Sequence, residues 1–183
     1  MTLFIFGEFI CDKCKIRKVG VDLSVVIEKY QKDYQEAVIN LILNIQQQEY
    51  GIAITKEDQP DLFRIEAFYQ NGNGNFWVAL HDGEVVGTIS HVDIVNQQLA
   101  LRKMFVKKPY RGKEYGTASH LLQTALEWAK KRNITGIYLG TVPEFLAAHR
   151  FYEKNGFVQI GRTELPENFP IVKVDKLFYQ YTF

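Results

Sequence analysis

The segment KKPYRGKEYGTASHLLQTAL, residues 107–126, places Lys107, Lys108, Arg111 and Lys113, together with Gly112 and Gly116, directly ahead of an amphipathic run. In that run Leu121, Leu122, Ala125, Leu126 and Ala129 recur at helical spacing. A helix opens with about four unpaired backbone N–H groups and a partial positive charge, so phosphate groups bind there readily. Glycines let the backbone approach a ligand, and an arginine can hold a phosphate with two parallel hydrogen bonds. The chemistry on offer is a grip on an anionic, phosphate-bearing molecule. The segment is neither a P-loop, which needs Gly-Lys-Ser/Thr, nor a dinucleotide fingerprint, which needs GxGxxG. A plain basic turn before a core helix has the same composition.

Other reactive side chains are sparse. Cys11 and Cys14 form a CxxC pair, but no second knuckle or histidine pair exists to complete a structural zinc site, so reduced thiols are expected and no metal. His81, His91, His120 and His149 are scattered, with His91 expected to be structural or exposed and His149 to face solvent. The formal net charge of +1 over 183 residues argues against a nucleic-acid binder, which carries a basic excess. The run KCKIRK, residues 13–18, reads as a solvated face. No stretch approaches the roughly 20 apolar residues that span a bilayer. Glu8 interrupts the apolar start, which lacks a basic leader and a small-residue cleavage site; no signal peptide is expected, and a cytoplasmic location follows as the default.

The elements that must position the basic segment can be read coarsely. Residues 1–23 form an extension to a single domain covering 24–183. SVVIEKY (24–30) reads as a strand. Ala37, Val38, Leu41, Ile42 and Ile45 trace a helix with Asp33 as its N-cap and Gly51 near its end. A long connector, YGIAITKEDQPDL, follows, then a turn at QNGNGN (70–75). NFWVALHDGEVVGTISHVDI reads as a hairpin about Asp82-Gly83. QQLALRKMFV (97–106) is a third strand, whose alternation puts Leu99, Leu101 and Lys103 on one face and Ala100, Arg102 and Met104 on the other. After the helix that follows Gly116 come a strand TGIYLGTV, a helix EFLAAHRFYEKNGF stopping at Gly156, and a last strand DKLFYQYTF. This order predicts a mixed α/β sheet, with antiparallel strands leading into a β-α-β unit.

Arg111 and Gly116 fall on the Arg/Gln-x-x-Gly-x-Gly/Ala signature of the GNAT superfamily of N-acetyltransferases, which this sequence resembles, with Glu114 where the pattern has its first glycine. AAHRFYEKNGF (147–157) is similar to the family's terminal Ala-x-x-x-Tyr-x-x-x-Gly-Phe helix, and the order of elements from about Ser24 to the C-terminus matches as well. The resemblance implies an α/β fold with a mixed, mostly antiparallel sheet whose central parallel strands splay apart, flanked by helices. It implies acetyl-CoA as cosubstrate, with its pyrophosphate on Arg111, Gly112, Lys113, Glu114, Tyr115, Gly116 and Thr117 and its pantetheine arm along Met104, Phe105 and Val106. It further implies Tyr152 as the acid that protonates the departing thiolate, and transfer of acetyl to a primary amine of a small molecule or protein.

The family's frequent strand glutamate is absent; Arg102 and Lys103 occupy that strand, and Phe145 replaces a frequent asparagine. No general base is assigned; water, Glu49, His91 and Asp93 stay open. Arg102 and Lys103 suggest an anionic acceptor or salt bridges, whereas Glu49, Glu57, Asp58 and Asp61 suggest a cationic one. The alternative function is a non-catalytic acyl-CoA-binding or regulatory module. Homodimers are common on this fold, and the sequence leaves that state open.

Overall fold

The computed structural model describes residues 24–183; the CxxC pair, KCKIRK and the boundary between extension and domain lie outside the described residues. Strand β1 (Val26–Lys29) leads through a 3-10 turn, Lys32–Tyr34, into helix α1 (Gln35–Leu43), which continues as a π-helical turn, Asn44–Glu49. Asp33 lies inside that 3-10 turn and does not cap α1, which has no side-chain cap. The long connector is partly ordered as a 3-10 turn, Pro60–Phe63, and a short helix α2 (Ile65–Tyr69) that apolar periodicity did not predict. Then come β2 (Asn75–His81), β3 (Glu84–Asp93), β4 (Gln98–Val106), α3 (Thr117–Lys130), β5 (Gly136–Thr141), α4 (Leu146–Lys154), β6 (Val158–Ile160) and β7 (Leu177–Thr182).

The strands form one sheet in the order β1-β2-β3-β4-β5-β7-β6. Every neighbouring pair is antiparallel except β4 with β5. The β2–β3 turn carries positive φ at both Asp82 (49°) and Gly83 (77°), the backbone that a two-residue hairpin needs. The larger core packs Leu121, Leu122, Ala125 and Ala129 of α3 against Trp77, Ile89, Leu99 and Ile137, and takes in Tyr152 of α4. A second core sets Val38, Leu41 and Ile42 of α1 against Phe76, Val78 and Val85 on the opposite face.

Two irregularities in β4 make room for a site. The parallel pairing with β5 runs only from Gln98↔Gly136 to Ala100↔Tyr138, although both strands continue beyond it. A wedge therefore opens between them. On the other edge, Arg102 lies opposite Ser90 and Phe105 opposite Thr88, so β4 has one residue more than β3 over that interval. The extra residue is a β-bulge, and Lys103 carries it at φ 52°. Hydroxyls of β3 satisfy the bulge carbonyls: Thr88 Oγ1 donates to Lys103 O at 2.7 Å and Ser90 Oγ to Arg102 O at 2.8 Å. The bulge breaks the predicted alternation. Leu99, Leu101, Met104 and Val106 all reach the larger core, while Lys103 turns away from them toward Asp61.

Candidate active site

The loop ahead of α3 has the backbone of an anion cradle. Gly112 (φ 94°) and Gly116 (φ 60°) both adopt the left-handed region, and Gly116 N–H closes the loop onto Gly112 O at 3.3 Å. The space where a Cβ would stand on Gly112 is open. No side chain caps α3, so its first-turn N–H groups face outward without a cap. The buried Thr117 hydroxyl, at the first position of the helix, has no hydrogen-bond partner among the described residues. An uncapped helix start, an open glycine and an orphaned hydroxyl together fit a bound phosphate.

The predicted cations behave differently from expectation. The Arg111 guanidinium is already engaged: Nε donates to Val106 O at 2.7 Å and Nη2 pairs with Glu49 Oε2 at 2.7 Å. Arg111 thus ties the loop to the end of β4 and to the π-helical turn. Lys107 is paired with Glu84. Lys113 and Glu114 are exposed, and Tyr115 packs against Tyr110 and His81 at ring separations of 4.8 and 5.5 Å. The backbone N–H groups of the loop are thus its donors without a side-chain partner, while the Arg111 guanidinium is paired.

From this loop a slot follows β4 past Met104, Phe105 and Val106, walled by Phe145, Ala148, Phe151 and Tyr152. Phe145 stands edge-on to Tyr50 at 4.6 Å, which narrows the slot with an aromatic pair. A second cavity opens on the other side of Tyr152, lined among others by Asp61, Arg102, Lys103, Gly140, Phe169 and Asp175. Met104, Phe105, Phe145, Ala148 and Tyr152 line both spaces. Tyr152 is buried at their junction, and that burial pushes its phenol far above the ordinary tyrosine range.

The charges of the second cavity sort by partner. Lys103 Nζ pairs with Asp61 Oδ2 at 3.1 Å and donates to Gln59 Oε1 at 2.6 Å, and Gln59 Nε2 donates to Gln46 Oε1 at 2.9 Å. Burial pulls the Lys103 ammonium down to about 8 against the opposing pull of Asp61. Burial alone would raise the Asp61 carboxyl, but Lys103 and then the Tyr69 hydroxyl hold it below the usual range. Asp58 accepts from Thr55 N–H and Oγ1 at 2.9 and 3.0 Å in an exposed turn. Arg102 alone of the cavity's cations forms no ion pair and no side-chain hydrogen bond among the described residues.

The histidines and remaining base candidates lie elsewhere. His91 is fully buried between β2 and β4, edge-on to Trp77 at 5.6 Å, with neither ring nitrogen bonded among the described residues. His149 does not face solvent: it is buried, and its Nε2 lies 2.9 Å from Val142 O. Asp93 accepts from Asn73 N–H and Val95 N–H, holding two turns. Glu49 is occupied by Arg111.

This geometry matches what comparison finds. The model of the acetyltransferase (GNAT) family matches residues 39–157. A crystal structure of a GNAT-family acetyltransferase from Staphylococcus aureus Mu50 is 42% identical, with a TM-score of 0.83 over 86% of this chain and 98% of that one. The N-acetylaspartate synthetase of Danio rerio is 38% identical over 106 residues, which is 57% of this chain but only 37% of that protein's length. The Homo sapiens enzyme of the same name is 34% identical over 125 residues, covering 66% of this chain and 40% of its own. A Thermoplasma acidophilum N-acetyltransferase solved with coenzyme A shares the fold at 19% identity and a TM-score of 0.67. With the glycine loop ahead of α3, the splayed β4 and β5 and the helix bearing Tyr152 in this order, the chain belongs to the GNAT family of acetyltransferases, whose cosubstrate is acetyl-CoA.

Proposed function

We propose that this protein transfers acetyl from acetyl-CoA to the primary amine of a small acceptor that also carries a carboxylate. One observation carries the reading: two cavities meet at Tyr152, one leading to the phosphate loop and the other holding an unpaired guanidinium, Arg102. The relatives named N-acetylaspartate synthetase support an acidic amino acid as acceptor.

Acetyl-CoA supplies, when bound, a thioester carbonyl and a thiolate leaving group. The backbone N–H groups of residues 112–117, with the Thr117 hydroxyl, would hold its pyrophosphate. The edge of β4 beyond Ala100, which β5 leaves unpaired, would take the pantetheine amides. Tyr152 gives its proton to the thiolate. Arg102 orients the acceptor by its carboxylate, through a charge-assisted pair. Of the acidic residues that suggested a cationic acceptor, Asp61, Asp58 and Glu49 are each engaged within the protein, which supports an anionic acceptor group.

Calorimetry with acetyl-CoA and a free-thiol assay across amino acids test this. Binding in the micromolar range is expected, with thiol release fastest for L-aspartate or L-glutamate and slow for their side-chain amides. Arg102→Ala should raise the acceptor KM by roughly 10- to 100-fold, the loss of a charged hydrogen bond, at constant affinity for acetyl-CoA. Absence of acetyl-CoA binding would overturn the enzyme reading. Equal turnover of neutral and dicarboxylic acceptors would overturn the acceptor class.

A further inference from the structure

The second cavity contains a carboxylate that no sequence motif marks. Asp175 belongs to the segment between β6 and β7, immediately ahead of β7. Its Oδ2 accepts only the Val172 N–H, at 3.2 Å, and it forms no ion pair among the described residues. The segment is pinned to β5 by Lys176 N–H donating to Thr141 O at 2.9 Å, and it turns back on itself through Asp175 N–H to Val172 O at 2.9 Å. A glycine seats the carboxylate: a Cβ on Gly140 would stand 2.4 Å from Asp175 Oδ2 and 2.6 Å from its Cγ. Gly140 lies on β5 beyond the point where β4 and β5 part, so Asp175 rests on the wall of the wedge that also bears Arg102 and Tyr152.

We infer that Asp175 binds the ammonium group of the acceptor and takes its proton before attack, while Arg102 holds a carboxylate of the same molecule. This rests on the acetyltransferase reading and supplies the base that the strand of β4 lacks. The steps balance. The acceptor ammonium passes one proton to the Asp175 carboxylate; the freed amine forms a C–N bond to the acetyl carbonyl, and the C–S bond breaks. Tyr152 protonates the departing thiolate and regains a proton from the nitrogen of the new amide. Asp175 then returns its proton to water. Burial raises the Asp175 carboxyl above the usual aspartate range, against the Val172 N–H and the charge of Arg102, and a raised carboxyl is the better base.

The titratable groups facing Asp175 across the cavity are Arg102 and Lys103 from β4, Asp58 and Asp61 from the connector, and Tyr152 from α4. Lys173 and Lys176 flank it on its own segment and are exposed.

Asp175→Asn keeps an oxygen for the Val172 N–H and removes the base. With L-aspartate and L-glutamate as acceptors, kcat/KM should fall roughly 100-fold or more, the typical contribution of a general base, with acetyl-CoA affinity by calorimetry and thermal midpoint unchanged. The remaining activity should climb with pH as the acceptor amine loses its proton in solution, and Asp175→Glu should restore part of the rate. An active wild type with Asp175→Asn within threefold of it, or with no such change in the pH profile, overturns this inference alone. A wild type that binds acetyl-CoA but releases no thiol with any amino acid overturns the function reading and this inference with it.

Discussion

At the scale of single residues, the decisive contrast is between two adjacent cations of opposite fate. Lys103 and Arg102 both enter the acceptor cavity, yet Lys103 is almost wholly enclosed and compensated by Asp61, whereas Arg102 is half-buried and unpaired. A buried ion pair contributes little net stability, because desolvation offsets attraction, but removing one partner strands a charge in the interior. Asp61→Asn should therefore destabilise the fold by about 3–5 kcal/mol, read as a lower urea midpoint at an unchanged slope. The double variant Asp61→Leu with Lys103→Met, which removes both charges, should recover most of that loss. A single variant as stable as wild type would mean that the pair is not closed in solution. The same logic bears on the proposed acceptor site: Lys103 is compensated by a direct ion pair, whereas Arg102 has none among the described residues.

At the scale of elements, the bulge and the wedge cooperate to build the cavity, and these were the parts hardest to foresee. The phosphate loop and the terminal helix were legible because each is a local backbone device written in consecutive residues: Gly112 and Gly116 at positive φ, Tyr152 four residues before the Gly156 stop. The bulge carries no such mark. Its positive φ falls on a lysine, where a glycine or asparagine would have signalled it, so strict alternation placed Lys103 with Leu99 and Leu101. Helix α2 and strand β6 are too short for a periodic pattern. The tie between Arg111 and Glu49 was not legible because the two are distant in sequence, and the seat of Asp175 was not because it is made by contact with Gly140 across the sheet. That contact predicts an effect. Gly140→Ala would force the Asp175 segment outward, since the new Cβ has no room beside the carboxylate. Acceptor kcat/KM should drop about tenfold or more while acetyl-CoA affinity holds, the misplacement of a catalytic group being enough for losses of that order. Unchanged acceptor kinetics in this variant would show that the segment does not set the base.

At the scale of the whole molecule, β4 borders the second cavity on one edge and pairs with β3 on the other, where a titratable group, His91, is fully buried. His91 pairs with Leu101 and Asn75 in register, and its ring nitrogens and the Asn75 amide nitrogen are all buried without partners among the described residues. Burial alone lowers its imidazole from 6.5 to about 3, so it stays neutral in the folded protein. An unfolded chain regains the ordinary value and binds one more proton throughout the interval between those two pH values. Stability contributed by the neutral ring is thus complete above about pH 6.5 and declines as pH falls toward 3, by up to about 1.4 kcal/mol per unit. Carboxylates with ordinary values near 3.9 and 4.3 enter toward the lower end, and Asp175, raised by burial, acts alike in wild type and a His91 variant, so the difference between the two over about pH 6.5 to 4.5 isolates the imidazole. Urea denaturation across that window should lose about 2–3 kcal/mol in wild type, and His91→Leu, which keeps the volume and removes the proton site, should flatten the slope by most of that amount. If the two proteins lose stability in parallel, the imidazole is reached by a proton or a solvent partner in the folded state, and the acid sensitivity of this fold belongs to its carboxylates instead.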